Sequence, residues 1–208
     1  MLVLSTAQCT CRCILYHQYT SRQHQECAIV ESMQTTEEHV VLVDDQNNVL
    51  GTAPKATVHT ADTPLHRGFS AFLFNADGLL LLQQRSHKKK TWPLMWSNSV
   101  CGHPALDERN EDAARRRAQD ELGLELASIK EVAPYRYQAT REGVMEHEIC
   151  PILVGTVTHE PVPNPDEVEA VRWVAWEDFL ADMRAHPETY SVWCREEAEI
   201  LNRDRLYK

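Results

Sequence analysis

The sequence predicts an α/β or α+β sandwich, with mixed sheets covered by helices. Three observations predict it: short β-type runs recur along the chain as far as Val174, one capped helix interrupts them, and two helical segments close the chain. At 208 residues there is enough chain for one domain with a sizeable core and some peripheral elements.

The segment 1–32 differs from the rest. It holds no acid before Glu26, shows no clear periodicity and is rich in Gln, Ser and Thr. It is expected to be a poorly ordered extension or an upstream-start artefact, ahead of a domain spanning 33–208. The scarcity of acids suits a transit peptide, but no amphipathic Arg-rich helix is evident. Cys9, Cys11 and Cys13 alternate without the second half that a metal cluster needs, and are read as incidental.

Val40–Val43 then reads as a strand. Phe69–Phe74 and Leu79–Leu82 flank Asn75-Ala76-Asp77-Gly78, a hairpin signal. Asn110 reads as an N-cap, with Glu111 and Asp112 in the first turn and Gly123 as the stop, which predicts a helix over 111–122. Ile149–Val154 reads as one buried strand and Val171–Val174 as another. Helices follow over 176–185 and 191–205, separated by His186-Pro187.

The formal charge of −10 argues against a broad nucleic-acid surface. It leaves room for one small anion, and Arg85, Lys88, Lys89 and Lys90 form a local basic cluster suited to a diphosphate. No apolar run approaches a membrane span. Seven scattered cysteines do not suggest a disulfide framework and fit a reducing compartment, so a cytoplasmic location is expected.

Gly102 is followed by five residues and Glu108, then by seven residues and Arg116-Arg117-Ala118, then by Asp120-Glu121-Leu122-Gly123-Leu124. This spacing resembles the Nudix box, in which helix carboxylates hold divalent cations on a diphosphate. Arg117 stands where Nudix hydrolases usually carry Glu, and a guanidinium removes an oxygen ligand and repels a cation. The bland reading of Arg117 and Glu121, an i,i+4 ion pair on a solvated face, would explain the pair but not the full spacing.

Four further clusters point away from hydrolysis. Cys101 sits in Asn98-Ser99-Val100-Cys101-Gly102-His103-Pro104, at the front of the box and leading into a helix, where a thiol can be polarised; a lone cysteine otherwise packs as a small hydrophobe. His59, His66 and His103 supply three imidazoles, suited to Zn, Mn or Fe, although each alone is an ordinary structural residue. In Glu146-His147-Glu148 an extended chain turns both carboxylates to one face and His147 to the other; two such acids repel unless a cation or proton intervenes. The last cluster is Tyr135-Arg136-Tyr137 with the distant Trp193, whose ring could stabilise a cation or simply pack in the core.

Together these strings resemble type 1 isopentenyl-diphosphate isomerase, a Nudix-fold family of isoprenoid synthesis. The resemblance runs from about Glu38 to about Trp193. It is carried by His59-Thr60-Ala61-Asp62-Thr63, by Trp96-Ser97-Asn98 running into the Cys101 string, and by Glu146-His147-Glu148-Ile149-Cys150-Pro151. It implies a single-domain Nudix fold. It also implies one metal (Mn²⁺, Zn²⁺ or Mg²⁺) held by His59, His66, His103, Glu146 and Glu148, and a Mg²⁺ bridging the diphosphate and Glu121. The family's catalytic residues match Cys101, Glu148 and Tyr137. Its diphosphate grip matches Lys55, Arg85 and Lys89, and the tryptophan over the substrate matches Trp193. The implied partner is a small diphosphate, with no nucleic acid or membrane, acted on by a monomer.

The reaction implied adds a proton to one face of isopentenyl diphosphate and removes another from the allylic carbon. The alkene is a poor base, so the site needs a strong local acid, a base and shielding from water. A Nudix hydrolase is the chief rival, but Arg117 weakens it and it assigns Cys101 no task. A non-catalytic Nudix-like binding module would not need Cys101, Glu148 and three histidines together.

Overall fold

The computed structural model describes residues 37–207. The expected extension over 1–32, with Cys9, Cys11 and Cys13, lies outside them. Two mixed sheets form the described fold. The first runs β2 (Val49–Pro54), β1 (His39–Val43), β3 (His66–Arg67), β10 (Val144–Ile149), β9 (Arg136–Arg141). The second runs β12 (Val168–Val174), β5 (Leu80–Arg85), β4 (Phe69–Phe74), β11 (Ile152–Val157), β8 (Leu126–Ala133). Two short strands extend it: β6 (Trp96–Ser97) on β5, and β7 (Val100–Gly102) on β4.

Four α-helices are described: α1 (Lys55–Val58), α2 (Asn110–Leu122), α3 (Trp176–Ala185) and α4 (Val192–Asp204). The second sheet lies between α2 on one face and α3 and α4 on the other. Along β4, Phe69, Ala71 and Leu73 pack with Ala113, Ala114, Ala118 and Leu122 of α2. Phe72 and Phe74 pack with Trp176, Phe179, Trp193 and Leu201 of α3 and α4. The period of two along a strand is what lets one strand feed both cores, and each fully buried Phe contributes roughly 2 kcal/mol. The expected sandwich of sheets and helices is therefore present.

Local signals held well. Gly78 and Gly123 both take positive φ, 76° and 63°, in the turn before β5 and at the C-terminus of α2. α3 spans the residues expected of it, and α4 begins one residue later than expected, after Ser191. Asn110 is not the N-cap of α2. The helix already includes it, Arg109 takes the cap position, and the Asn110 amide donates to Glu131 instead.

The largest departure is at Cys150-Pro151. The expected single strand 149–154 is two strands in different sheets, β10 ending at Ile149 in the first and β11 starting at Ile152 in the second. Pro151 has no N–H for a ladder, so pairing stops there and the chain changes sheets. The switch carries Glu146 and Glu148 on one side of the break and the core of the second sheet on the other.

Candidate metal and proton-transfer site

Backbone register assembles the site. β3 and β10 run parallel with His66 opposite Glu148, and β9 sets Tyr137 opposite Glu148 on the other side. Along β10, Glu146 and Glu148 are buried while His147 is half-buried, the alternation an extended chain requires. His59 follows α1 and His103 follows β7. Gly68 makes room for the cluster: a Cβ there would overlap the Glu148 carboxylate.

The side chains converge. The ring centroids of His59, His66 and His103 lie 5.1 to 5.6 Å apart. His59, His66, His103 and Glu148 each bring one ligand atom to within 4.8 Å of the others. Glu148 Oε1 lies 3.1 Å from His103 Nε2 and 3.5 Å from His66 Nε2. Glu146 is outside that group of four but touches it, with Oε2 3.1 Å from His59 Nε2.

The donor set fits a divalent cation. The buried His59 Nε2, His66 Nε2 and Glu146 Oε2 have no hydrogen-bond partner, which is costly unless something else satisfies them. His66 Nδ1 faces the Pro64 carbonyl at 2.9 Å, an interaction that assigns the proton to Nδ1 and leaves the Nε2 lone pair for a metal. Without the cation, burial works to raise the Glu148 pKa, but His103 and His66 outweigh it and hold the carboxyl well below the usual range. Burial works to lower the His66 pKa, and the Glu148 carboxylate reverses the direction.

Cys101 lies opposite Ser70 in the β4–β7 pair. Its thiol donates to Asn98 Oδ1 at 3.0 Å and meets Ser70 Oγ at 3.5 Å. Asn98 is fixed in turn by donating to the carbonyls of Ala71 and Val100. The expectation that a helix approach polarises the thiol is not met. Cys101 sits on a strand, and burial, then the Glu197 carboxyl, push its pKa up to about 12. Burial therefore favours the neutral thiol over the thiolate.

Trp193, the second residue of α4, is buried; its indole N–H donates to Ser97 Oγ at 3.0 Å, and Ser97 donates to Asn98 Oδ1 at 2.9 Å. One hydrogen-bonded chain therefore links Trp193 to the residue that holds Cys101. The Trp193 ring centroid is 5.7 Å from that of Tyr137, and Arg85 Cζ lies 5.4 Å from it. Tyr137 also stacks on Tyr135 at 5.5 Å.

A second cluster surrounds Glu121, which is not among the grouped metal-binding side chains. Arg117 Nη2 and Nε donate to Glu121 Oε1 at 2.6 and 3.1 Å, and Gln83 Nε2 donates to Oε2 at 3.2 Å. The i,i+4 pair, which the bland reading put on a solvated face, is buried, at 6% and 3% side-chain exposure. Arg117 also meets Glu38 and Glu167, each at 3.3 Å. Lys55 pairs with Glu38 and Lys89 with Glu167. The basic run does not form one patch: Lys88 pairs with Asp166, Lys90 donates to the Ala56 carbonyl, and Arg85 binds the carbonyls of Thr91 and Trp92.

The NUDIX domain model matches residues 64–194. Three relatives, each an isopentenyl-diphosphate Delta-isomerase, come from Saccharopolyspora erythraea, Corynebacterium glutamicum and Klebsiella pneumoniae. The first is 45% identical, over 79% of this chain and 86% of the relative. The second is 49% identical, over 77% and 89%. The third is 46% identical, over 80% and 91%. The chain belongs to the isopentenyl-diphosphate Delta-isomerase family, within the Nudix superfamily.

Solved structures agree on the fold. A Deinococcus radiodurans protein superposes with a TM-score of 0.62 at 25% identity, covering 78% of this chain and 98% of that one. The MutT protein of Methanosarcina mazei gives 0.56 at 21% identity, covering 68% and 96%. The membership accounts for the box spacing, while the buried Arg117–Glu121 pair accounts for the departure within it: arginine here is a structural partner for the box glutamate.

Sequence reasoning missed Ser70, Glu38, Glu167 and Glu197 as neighbours of these sites, and quoted Asn98 beside Cys101 without giving it a role. Ser70 is the polar residue in an otherwise apolar strand, Phe69–Phe74, which was a readable signal. Glu197 lies four residues after Trp193 on the apolar stripe of α4, which was another.

Proposed function

We propose that this chain is an enzyme interconverting isopentenyl diphosphate and dimethylallyl diphosphate in isoprenoid synthesis, with Cys101 and Glu148 as its proton-transfer pair. One observation carries the residue assignment. Cys101 is two residues before His103, and His103 Nε2 contacts Glu148 Oε1 at 3.1 Å, so one loop ties thiol and carboxylate to one site. The family membership supports the reaction.

His59, His66, His103, Glu146 and Glu148 would hold one divalent cation, Mn²⁺, Zn²⁺ or Mg²⁺. When bound, it supplies a Lewis acid that makes a proton carried by Glu148 more acidic. Glu121 would share a Mg²⁺ with the diphosphate. A carboxylate offers about four acceptor sites, and the Arg117 and Gln83 donors leave one side of Oε2 for that contact.

The chain's own side chains do the rest. Cys101 holds its proton as a thiol and faces the alkene, and Glu148 works from the opposite face. Proton addition at one carbon and removal at the other moves the double bond. The Trp193 ring stabilises the cationic intermediate, an interaction of roughly 2 kcal/mol when desolvated. Tyr137, opposite Glu148 in the sheet, closes the site on that side. Lys55, Arg85 and Lys89 anchor the diphosphate. Lys55 and Lys89 now face Glu38 and Glu167, so substrate binding exchanges those carboxylates for phosphate oxygens. The diphosphate does not react, and its binding energy positions the alkene. The reading includes a cytoplasmic monomer, a location supported by the free thiols Cys101, Cys150 and Cys194.

The test is incubation with isopentenyl diphosphate, with product followed by NMR and bound metal measured in parallel. Dimethylallyl diphosphate is expected, with turnover lost on strong chelation and restored by added divalent cation. Phosphate or pyrophosphate release without a double-bond shift would overturn the reading in favour of a hydrolase.

A further inference from the structure

The hydroxyl of Ser97, on β6, stands between two groups of the proposed chemistry and has no task in it. Ser97, Asn98 and Ser191 are all buried. Their hydrogen bonds have only one consistent set of directions. The Trp193 indole N–H can only donate, and it meets Ser97 Oγ at 3.0 Å. Asn98 Nδ2 gives its protons to the carbonyls of Ala71 and Val100, each at 3.1 Å, which fixes the amide with Oδ1 turned away from them. That oxygen can only accept, and it does so from Ser97 Oγ at 2.9 Å and from Cys101 Sγ at 3.0 Å. Ser97 has one proton and Asn98 takes it, so the Ser191 hydroxyl donates in its 3.0 Å contact with Ser97 Oγ.

Nothing in this network is left over. Trp193 and Ser191 take the lone pairs of Ser97 Oγ, and Ser97 and Cys101 take those of Asn98 Oδ1. A buried network satisfied at every member is rigid, because turning one proton leaves another group unpaired at low dielectric. The backbone docks α4 separately. The Ser191 N–H donates to the Trp96 carbonyl at 2.9 Å, and Trp96 forms a bridge with Tyr190. The helix therefore keeps its anchor without the Ser97 hydroxyl, whereas the indole and the Asn98 oxygen each lose a partner.

We propose that Ser97 is a positioning residue of the isomerase site: its hydroxyl ties the Trp193 indole to the Asn98 oxygen that receives the Cys101 thiol, so one group sets both. This rests on the assignment of Cys101 to proton transfer and of Trp193 to the cationic intermediate. Ser97 acts through these two neighbours. A ring stabilises a cation only where its face stands over the charge. A proton crosses only within hydrogen-bond reach. A misplacement of about 1 Å in such a constellation costs up to about a hundredfold in rate.

Kinetics and two spectra of the metal-loaded full chain test it. Ser97→Ala deletes only the hydroxyl and is expected to lower kcat about tenfold to a hundredfold with KM unchanged. Ser191→Ala deletes a second buried hydroxyl, 3.0 Å from Ser97 Oγ but outside the link from ring to thiol, and should keep kcat close to wild type. Wild-type kcat in Ser97→Ala would overturn the proposal, as would an equal loss in the two variants. The infrared S–H stretching band that vanishes in Cys101→Ala should shift in Ser97→Ala, because Asn98 Oδ1 then accepts from the thiol alone. The indole proton resonance that vanishes in Trp193→Phe should move upfield, because its acceptor is gone. Ser97→Thr retains a hydroxyl and should recover kcat and both signals; it carries the test if the alanine variant does not fold. A loss of kcat in either Ser97 variant with both signals at their wild-type positions would overturn the link. The spectra need no turnover, so they stand apart from a failure of the isomerase reading, which would appear as wild-type protein forming no dimethylallyl diphosphate.

Discussion

The histidine cluster and the Arg117 cluster are both buried, both rich in carboxylate, and electrostatically opposite. Around His59, His66 and His103 the acids Glu146 and Glu148 face imidazoles, and four buried polar atoms remain without a hydrogen-bond partner. Around Glu121 the acids face Arg117, Lys55 and Lys89, and each carboxylate has a cationic partner. The first arrangement is incomplete until a cation enters. The second has built-in cations, already paired with its own carboxylates. The proposed function uses that difference: it assigns a divalent ion to the first cluster and the diphosphate to the second.

Chemistry can be removed from the edge of the first cluster while its charges are left alone. Cys101→Ala deletes only a neutral thiol, so metal content should stay at the wild-type level while isomerisation falls about a thousandfold or more. Glu148→Gln should lose both, because the amide replaces a ligand oxygen. Equal metal loss in the two variants, measured by elemental analysis, would mean that Cys101 supports the cluster structurally.

The second cluster should fail by unfolding. Arg117 is buried against Glu121, and Arg117→Ala would leave that carboxylate with only Gln83. A loss of about 3 kcal/mol or more in chemical denaturation is expected. Gly68→Ala sharpens the contrast from the other side. The added Cβ meets the side-chain end of Glu148, not backbone, so stability should change less than in Arg117→Ala while kcat falls about tenfold to a hundredfold. A large stability loss in Gly68→Ala would show that the Glu148 carboxylate has nowhere to move.

Legibility followed locality. The hairpin at Asn75–Gly78, the Gly123 stop and helices α3 and α4 were readable because caps and turns are written in a few adjacent residues. Glu146 and Glu148 were readable because the period of a strand fixes their common face. The break at Cys150-Pro151 was not, since Ile149–Val154 carries the same apolar pattern whether one sheet receives it or two. Arg117 and Glu121 read as solvated because i,i+4 spacing says nothing about which helix face is covered. Glu197 was hidden the same way, within the charged run Arg195-Glu196-Glu197, of which only the last is fully buried. The basic run 88–90 looked free because its acidic partners Asp166 and Glu167 are remote in sequence.

The smallest effect separates buried from exposed pairing on one helix. Arg116, beside Arg117 on α2, bonds Glu108 through two donors at 2.9 and 2.8 Å, but its side chain is 39% exposed. Arg116→Ala should therefore cost no more than about 1 kcal/mol, against about 3 for Arg117→Ala. The hydrogen bond from Arg116 holds the Glu108 pKa below its ordinary value of 4.5. A carboxyl depressed in the folded state adds stability that is present above the unfolded value and lost as pH falls through the folded one. The wild-type advantage over Arg116→Ala should hold at neutral pH and fade below about pH 4.5, as read from paired melting curves. An advantage that persists in strong acid would locate the worth of Arg116 in its 3.3 Å contact with the His103 carbonyl, tying the outer face of α2 to the metal-binding loop.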